Sequence, residues 1–550
     1  MRWITPAARP GIRPATALAA TTLLVALAAT APASVQAQTA TAAADASIAV
    51  RAFRVQGNTL LDPAMVQATL APHVGQRRLA ELRQAALAVQ ALYGQAGYAA
   101  VVAYLPPQPV SDGTVTIQVV EGRISRVLVQ GQRRLSAERV RAALPSLVEG
   151  STPRVRDIDA ELQIANENPG RAIGVLLGPG GAPGEVLATV KVDEQPLHRF
   201  SVALDNTGNE RTGRYRLGLG WQNADFTGHD DLLSLLLQTS PTESSAVKVL
   251  SAGYRWPLVR QHAALDLFAA YSDVDGGLQA SAAGDLRFAG RGRIVGARTV
   301  WYLPRRGEFD QRLTAGLESR AYLNNCSVAG LPAGACGTAG ESVAVQPLTL
   351  DYAAQTGGPA PAALSVGLAH NLALGGRHGK AADFEAVRAG AKRRYTVLRA
   401  SGQFSQPVLE DWALAGRFAL QHSGDALVPG EQFGLGGAGS VRGYAERELA
   451  GDTGVSLSLE LGSPRLGAAW LGDRIDLRLL AFVDGGQLRN RGDAPCRNAQ
   501  VQCTLSSVGV GLRLGWQALQ WRLYLAQAQQ DAATTQRGDW RTHFSLTASF

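Results

Sequence analysis

The 550-residue chain is poor in several residue types, with four cysteines, two methionines and only four lysines. Beyond the N-terminal region it also lacks any run of eighteen apolar residues. A transmembrane helix needs about 20 such residues, so no helical membrane span is expected there. Glycine, in contrast, is abundant at 61 residues, and the hydrophobic fraction of 46% is normal for a folded protein.

Scarcity of lysine means that arginine supplies almost all of the positive charge. The 53 basic residues comprise 49 arginines and the four lysines, and the net charge is +8. A nucleic-acid-binding protein is expected to cluster its basic residues on one face or arm. Here the arginines are spread over the whole length, so no nucleic-acid partner is expected.

The N-terminus has the order of segments found in a secretory signal peptide. Three arginines precede an apolar stretch from Ala15 to Ala31, and the small-residue stretch Val35-Gln36-Ala37 follows. We therefore predict a signal peptide over residues 1–37 and a mature chain that begins near Gln38, outside the cytoplasm.

The four cysteines form two close pairs in loop-like segments: Cys326 with Cys336, and Cys496 with Cys503. Four cysteines allow three pairings. An oxidising destination favours two local disulfides. A zinc site usually has thiolates at closer spacing and further ligands, and neither a CxxC nor a histidine pair is nearby, so no metal is expected.

A tripeptide repeat divides the region that follows. Val55-Gln56-Gly57 and Val129-Gln130-Gly131 are 74 residues apart, and each lies between a strand-like segment and a helix start. Asp62 before Pro63 and Ser136 are predicted helix N-caps. After a short segment, 38–48, we predict two β-α-α-β-β units over 49–122 and 123–195, and the GPGGAPGE stretch is expected to form a turn in the second unit.

From about residue 196, apolar and polar residues alternate strictly. Val455, Leu457, Leu459 and Leu461, for example, alternate with Ser456, Ser458 and Glu460. A soluble sandwich also alternates, but long strands with an apolar face and tryptophans near their ends favour a transmembrane barrel. Only a closed barrel satisfies the backbone of strands in lipid. We count about sixteen strands over 196–550, with both cysteine pairs in extracellular loops.

The glycine-rich stretch GGAGSVRGY, residues 436–444, is spaced almost like a dinucleotide-binding loop. Such a loop requires a strand-turn-helix context, whereas this stretch lies between two predicted barrel strands. Gly379-Lys380-Ala381 lacks the serine or threonine of a phosphate-binding loop, and neither HExxH nor a G-x-S-x-G elbow occurs. We therefore expect no cofactor and no catalytic activity.

The complete order resembles the two-partner secretion transporters, the haemolysin and filamentous-haemagglutinin type of the Omp85 superfamily. The small units resemble POTRA domains, and the resemblance covers nearly all of the predicted mature chain. It rests on the segments Asn168-Pro169 with Gly178-Pro179, Leu204 to Gly208, Val441-Arg442-Gly443-Tyr444, Phe482 to Gly486, and the C-terminal Phe550. The fold class is therefore mainly β: a 16-stranded antiparallel transmembrane barrel after two α+β POTRA-like domains.

The resemblance implies a function in export across the bacterial outer membrane. A large secreted β-helical partner would be recognised in the periplasm by the POTRA-like domains and pass unfolded through the pore. Outer-membrane lipid and, through Phe550, the barrel-assembly machinery are further expected partners. A superfamily protein that inserts other barrels is the alternative, although such proteins usually have more POTRA domains. A passive porin would need neither these domains nor an inward loop.

Family members often carry a helix that plugs the barrel, but the segment before the first unit is too short for a helix and a linker. We therefore predict no plug helix.

The resemblance also implies that the VRGY segment, in the sixth extracellular loop, folds into the barrel. Arg442 would then meet Asp484, which shares a strand with Gly485 and Gly486 and faces the lumen by parity. Guanidinium and carboxylate can form a two-pronged contact that lysine cannot reproduce. Glu460 and Arg417 also point into the lumen by parity, as wall charges.

Overall fold

The computed structural model describes residues 47–110, 112–210, 212–273, 277–281, 284–288, 291–323, 338, 341–409, 411–467, 474–492 and 494–550. The predicted signal peptide, the segment in which we predict no plug helix, and the cysteines at 326 and 336 lie outside the described residues. These three expectations stay predictions.

The first α/β unit contains a three-stranded sheet covered on one face by two helices. Its strand order is β2-β5-β4, with β2 parallel and β4 antiparallel to β5, and β1 pairs separately with β3. Val66, Val89 and Ile117 lie in its apolar core. The elements are β1 Ser47–Val50, β2 Ala52–Gln56, α1 Pro63–Leu70, a 3-10 turn Ala71–His73, β3 Gly75–Arg78, α2 Leu79–Gln95, β4 Val101–Tyr104 and β5 Thr114–Glu121.

The second α/β unit repeats the β-α-α-β-β order, and its three strands form a sheet in the order β6-β8-β7. Asp62 caps α1 and Ser136 caps α3 through their side chains, which confirms both predicted N-caps. The elements are β6 Arg123–Gln130, α3 Ala137–Ala142, α4 Val155–Ala165, β7 Arg171–Pro179 and β8 Glu185–Glu194.

The tripeptide repeat marks the same tight turn in both units. Gly57 and Gly131 have φ values of 85° and 87°, a region that favours glycine. A Cβ at Gly131 would lie 2.3 Å from the carbonyl oxygen of Val192. Glu194 then accepts hydrogen bonds from the backbone N–H groups of residues 133–135. Although burial raises the pKa of Glu194, these bonds lower it overall.

Sixteen antiparallel wall strands form a closed barrel, which confirms the predicted fold class. The three-residue strand β18 (Val343–Val345) and the strand β19 (Pro347–Thr356) both pair with β17 (Phe309–Leu323) and together make one wall strand. Strand β29 (Trp540–Ser549) closes the ring on β9 (His198–Asp205). The wall is β9 His198–Asp205, β10 Arg216–Asn223, β11 Leu232–Thr239, β12 Lys248–Leu258, β13 Ala263–Asp273, β16 Arg291–Arg306, β17 Phe309–Leu323, β18 Val343–Val345 with β19 Pro347–Thr356, β20 Ala362–Asn371, β21 Thr396–Val408, β22 Trp412–Ser423, β25 Thr453–Gly462, β26 Ile475–Arg489, β27 Gln502–Trp516, β28 Leu519–Ala528 and β29 Trp540–Ser549.

The alternation in the sequence places apolar side chains outside the wall and polar ones inside. On β25, Leu457 is 51% exposed on the outer face, whereas Ser458 is 2% exposed on the inner face. Trp256, Trp412 and Trp516 lie near one end of the barrel, where short turns join the strands. An apolar outer band with an aromatic girdle is the surface of a barrel that lies in lipid.

Longer connections join the strands at the other end of the barrel. They contain the hairpins β14 Gly277–Ser281 with β15 Gly284–Phe288 and β23 Phe433–Leu435 with β24 Leu449–Gly451, and the helix α5 Ala381–Val387. Short 3-10 turns at Val259–Gln261 and Pro429–Glu431 complete the described elements. None of the described helices combines the length and the apolar character needed to cross a membrane.

Ion pairs join the second α/β unit to the short-turn end of the barrel. Arg139 on α3 donates to both oxygens of Asp225 at 3.0 and 2.8 Å and to Asp230 at 2.9 Å. Arg255 on β12 donates to Glu167, just after α4, at 2.7 Å. The second unit is therefore fixed to the strand ends by paired charges.

Candidate functional site inside the barrel

The sixth long connection, residues 424–452 between β22 and β25, folds into the barrel, and we call it the inward loop. The hairpin of β23 and β24 forms its base, and residues 436–448 form its tip. Leu435, Val441 and Tyr444 in the loop are fully buried, and they pack against Leu505 and Ala528 of the wall. This contact with wall strands brings the predicted VRGY segment to the inner face of the barrel.

Arg442 of the tip meets Asp484 of β26, as the parity of that strand suggested. Its Nε donates to Asp484 Oδ2 at 2.7 Å, and its Nη2 donates to Oδ1 at 2.7 Å. The backbone N–H of Arg442 donates to Oδ2 as well, at 3.0 Å. The two side chains are 1% and 0% exposed. Asp484 therefore accepts hydrogen bonds from two nitrogens of a guanidinium that is buried from water.

Two further wall groups receive the same guanidinium. Nη1 donates to Glu460 Oε1 at 2.6 Å, and Nη2 donates to Ser458 Oγ at 2.9 Å. Glu460 is shared with Arg513. The ring centroid of Phe482 lies 3.4 Å from Arg442 Cζ, so an aromatic face covers the cation. Four of the five guanidinium N–H groups thus have acceptors in this group of wall residues, which we call the socket.

The residues next to Arg442 are tied to the neighbouring strands. Gly443 N–H donates to His543 Nε2 on β29 at 3.0 Å, so this nitrogen is unprotonated and the imidazole is neutral. Gly443 has a φ of 92°, which permits the turn. The Tyr444 hydroxyl lies 3.0 Å from the carbonyl oxygen of Ser506 and 2.9 Å from that of Gln530. The whole VRGY segment therefore has wall partners.

The remaining sequence-predicted residues lie around this contact. A Cβ at Gly486 would lie 2.4 Å from Leu435 Cδ1, so glycine allows the inward loop to approach β26, whereas Gly485 has open space beside it. Arg417 donates to the backbone of Ala438 in the tip at 3.3 Å. Phe550 is 68% exposed and exchanges two backbone hydrogen bonds with Phe200.

Cys496 and Cys503 are disulfide-bonded, with 6.2 Å between their Cα atoms. They join the connection before β27 to the start of that strand, near the inward loop. Among the described residues, no group of three or more histidine, cysteine, aspartate or glutamate side chains is arranged to hold a metal ion.

Sequence reasoning missed Ser458, Phe482 and His543 as partners of the VRGY segment. Parity places Ser458 on the inner face, but which wall groups share one height depends on strand register. Ser458 lies directly opposite Asp484 in the β25–β26 ladder. Lumen-facing parity combined with this register is the signal that finds it.

The sequence matches a known protein family over more than half of its length. The model described as haemolysin secretion/activation protein ShlB/FhaC/HecB matches residues 185–514, more than half of the chain. The chain belongs to this haemolysin secretion/activation family. A model of the ShlB-type POTRA domain matches residues 48–122, the first α/β unit.

Curated relatives of this family member are transporters. The outer membrane transporter CdiB of Escherichia coli is 26% identical over 476 residues, which cover 81% of this chain and 74% of that protein. The heme/hemopexin transporter protein HuxB of Haemophilus influenzae is 30% identical over 163 residues, or 30% of this chain and 29% of that protein.

Solved structures show the same fold at low identity. CdiB from Escherichia coli aligns with a TM-score of 0.76 at 21% identity and covers 94% of both chains. CdiB from Acinetobacter baumannii aligns with a TM-score of 0.68 at 17% identity, covering 92% of this chain and 90% of the other. The family member is thus a two-partner secretion transporter of the outer membrane, with its POTRA domain in the periplasm. Its long connections are extracellular.

Proposed function

We propose that this transporter recognises a large secreted β-helical protein in the periplasm and moves it, unfolded, to the cell surface. The inward loop, held by Arg442 in its socket, would close the route until the partner arrives. The observation that carries the proposal is the buried contact between a loop arginine and two wall carboxylates inside a closed barrel. Folding of the partner outside the cell would supply the driving force, since the sequence shows no nucleotide-binding loop.

The partner would be recognised at a free sheet edge in the first α/β unit. Strand β4 lies at the edge of its sheet. Val102 and Tyr104 on it are 54% and 45% exposed, and Leu87 of α2 is 50% exposed. An extended segment can add to such an edge through backbone hydrogen bonds, while apolar side chains give selectivity. Gln90 accepts from the Ala103 N–H at 3.2 Å, so one edge donor is covered until a strand replaces it.

The barrel wall supplies the two other proposed contacts. Its exposed apolar face would lie against outer-membrane lipid, and the terminal Phe550 would be read by the barrel-assembly machinery during insertion. The lumen is lined by glycine, serine and charged side chains, which offer an unfolded chain few apolar surfaces to adhere to.

The latch, Arg442 with Asp484 and Glu460, can restrain the loop strongly because it is buried. Breaking a buried ion pair by removing one partner costs about 3–5 kcal/mol, since the other charge is left uncompensated. An incoming chain that offers its own cation to Asp484 would lower this cost. The transported chain itself could therefore release the inward loop by displacing Arg442 from Asp484.

Substitution of Arg442 tests the proposal in cells that also produce the secreted partner. We expect Arg442→Ala to lower the amount of partner in the medium at least about tenfold, a change of 1.4 kcal/mol, because the loop is then released without the partner and arrival of the partner is no longer coupled to opening. The variant barrel must still be folded in the outer membrane, which its altered mobility on unheated gels reports. Arg478→Ala is a matched control, since Arg478 also lies on β26 but its ion pair, with Asp476, is exposed. Secretion at the wild-type level by Arg442→Ala would refute the latch.

A further inference from the structure

The base of the inward loop carries a buried carboxylate that the latch does not use. Glu431 ends the 3-10 turn Pro429–Glu431 and is 1% exposed. Its Oε1 accepts from Arg320 Nη1 on β17 at 2.8 Å and from the Tyr322 hydroxyl at 2.8 Å. Its Oε2 accepts from Arg399 Nη2 on β21 at 3.0 Å. Glu431 is therefore held by two guanidinium groups and a phenol of the wall.

The wall around Glu431 is organised to hold a negative charge. Glu318 on β17 accepts from Arg320 Nη2 at 2.7 Å and from Arg298 Nη2 at 2.6 Å. Asp351 on β19 interacts electrostatically with the same arginines, so with Glu431 and Arg399 the group has three carboxylates and three arginines. Removing Glu431 would leave one positive charge in excess. The loop therefore supplies the third anion of this cluster.

A second buried carboxylate, at the C-terminal end of the loop base, is also held by an arginine. Asp452, the last residue before β25, is 0% exposed and accepts from Arg388 Nη1 at 2.5 Å and Nη2 at 2.8 Å. The Gln421 side chain donates to the carbonyl oxygens of both Glu431 and Asp452, at 2.9 and 3.2 Å. Both ends of the base are therefore fixed to each other and to their surroundings.

The ionic contacts of the base and of the tip involve different strands of the wall. Arg320 lies on β17 and Arg399 on β21, whereas Asp484 lies on β26, six and three strands away in a ring of sixteen. Leu435 of the base also packs against β26 at Gly486. The two attachments also have opposite polarity, because the loop offers an anion at its base and a cation at its tip. A cationic side chain can displace Arg442 from Asp484, but it cannot replace Glu431, because the charged partners of Glu431 are themselves cations.

We propose that Glu431 is a second anchor of the inward loop and that the loop opens as a flap. When Arg442 leaves its socket, the tip at residues 436–448 swings away while the base at residues 424–435 and 449–452 stays on the wall. This inference rests on the proposed role of the latch, but its test needs no secreted partner. A failure of secretion and a failure of the flap are therefore distinguishable.

Cysteine labelling on whole cells separates movement of the tip from movement of the base. The full-length protein receives either Ala438→Cys in the tip or Val428→Cys in the base, where Val428 is 1% exposed. A membrane-impermeant maleimide then reports the reaction rate of each position. In an Arg442→Ala background we expect position 438 to react at least about tenfold faster, a shift of about 1.4 kcal/mol, and position 428 to remain unchanged.

Addition of Glu431→Gln to that background should release the base, so that position 428 also reacts at least about tenfold faster. Glu210→Gln is the matched control, because Glu210 lies in the connection between β9 and β10, where it pairs with Arg214 and is 83% exposed. If Glu431→Gln prevents barrel assembly, Arg399→Gln, which removes one guanidinium from Glu431, is measured in its place.

Three outcomes overturn the flap. Position 428 accelerates together with position 438 when Arg442 alone is replaced, position 428 stays unreactive in the double variant, or position 438 never accelerates. The first shows that the loop leaves as one body, the second that Glu431 does not anchor it, and the third that Arg442 does not hold the tip. Altered mobility on unheated gels confirms that each variant barrel is folded.

Discussion

Replacement of the wall groups that receive Arg442 should open the pore in a graded order. Asp484 accepts three hydrogen bonds from Arg442, whereas Glu460 and Ser458 accept one each. The substitutions Asp484→Asn, Glu460→Gln and Ser458→Ala are nearly isosteric or small, so they change the acceptors more than the packing. We expect the released state to become more populated in that order, with Asp484→Asn the strongest.

The expected sizes follow from the number and charge of the lost bonds. Asp484→Asn breaks a buried pair, which costs about 3–5 kcal/mol, or roughly 150- to 5,000-fold in the equilibrium between held and released loop. Glu460→Gln weakens one charged hydrogen bond, at about 1.5–3 kcal/mol. Ser458→Ala removes an uncharged acceptor from the guanidinium, so its cost lies at the lower end of the same range, about 1.5 kcal/mol. No discount for solvent applies at Asp484, because it is 0% exposed.

Conductance of the purified protein in planar bilayers measures this order, since a released loop leaves a wider open path. The open fraction of time should rise from wild type through Ser458→Ala and Glu460→Gln to Asp484→Asn. Equal opening by the serine and aspartate variants would show that the loop is not held by the acceptors in proportion to their bonds. Absence of any opening by Asp484→Asn would refute the reasoning altogether.

Two further predictions concern the first and second α/β units. Val102→Lys places a charge on the free edge of β4, which hinders strand addition, so secretion of the partner should fall roughly tenfold, or 1.4 kcal/mol. Val148→Lys is the control, because Val148 is equally exposed. Unchanged secretion by Val102→Lys would argue against recognition at this edge. Gly131→Ala should cost at least about 1–2 kcal/mol, because its φ is left-handed and its Cβ would strike the Val192 carbonyl. This loss of stability is measured as cleavage of the periplasmic part by trypsin at a lower temperature. The control is Gly174→Ala, because nothing lies within 4 Å of a Cβ at that position. Equal resistance of the two variants to trypsin would contradict the prediction.

The barrel could be predicted from the sequence because period-2 alternation is a property of each strand alone. Leu457 and Ser458 differ in exposure for the same reason that they differ in polarity, since successive side chains point to opposite faces. The turn at Gly131 was likewise visible as a repeat. Glu194, which accepts hydrogen bonds from the residues after this turn, could not be predicted in the same way, although a glutamate stands at the end of the last strand in both units.

The candidate site was only partly accessible to the same reasoning. Parity and the family resemblance together suggested the pair of Arg442 and Asp484. They could not supply His543 or Ser458, because partners across a barrel are set by register and closure, which depend on contacts distant in sequence. Glu431 was missed for a further reason. A carboxylate in a loop belongs to no periodic pattern. The role of Glu431 can be recognised only from its contacts with the arginines of β17 and β21.

The charges of the lumen also explain how one path of the inward loop is selected. Alternation places polar residues on the inner face of every strand, but it does not distribute their signs evenly. Near β26, Asp484 and Glu460 are the wall groups that contact the tip, although Arg513 shares Glu460. Near β17 and β21, Arg320 and Arg399 are the wall groups that contact Glu431 of the base, although Glu318 shares Arg320. A loop with an anion at its base and a cation at its tip satisfies both regions in one orientation. A reversed loop would place like charges together without water, which is strongly unfavourable, so the pattern of charges specifies the direction in which the loop crosses the pore.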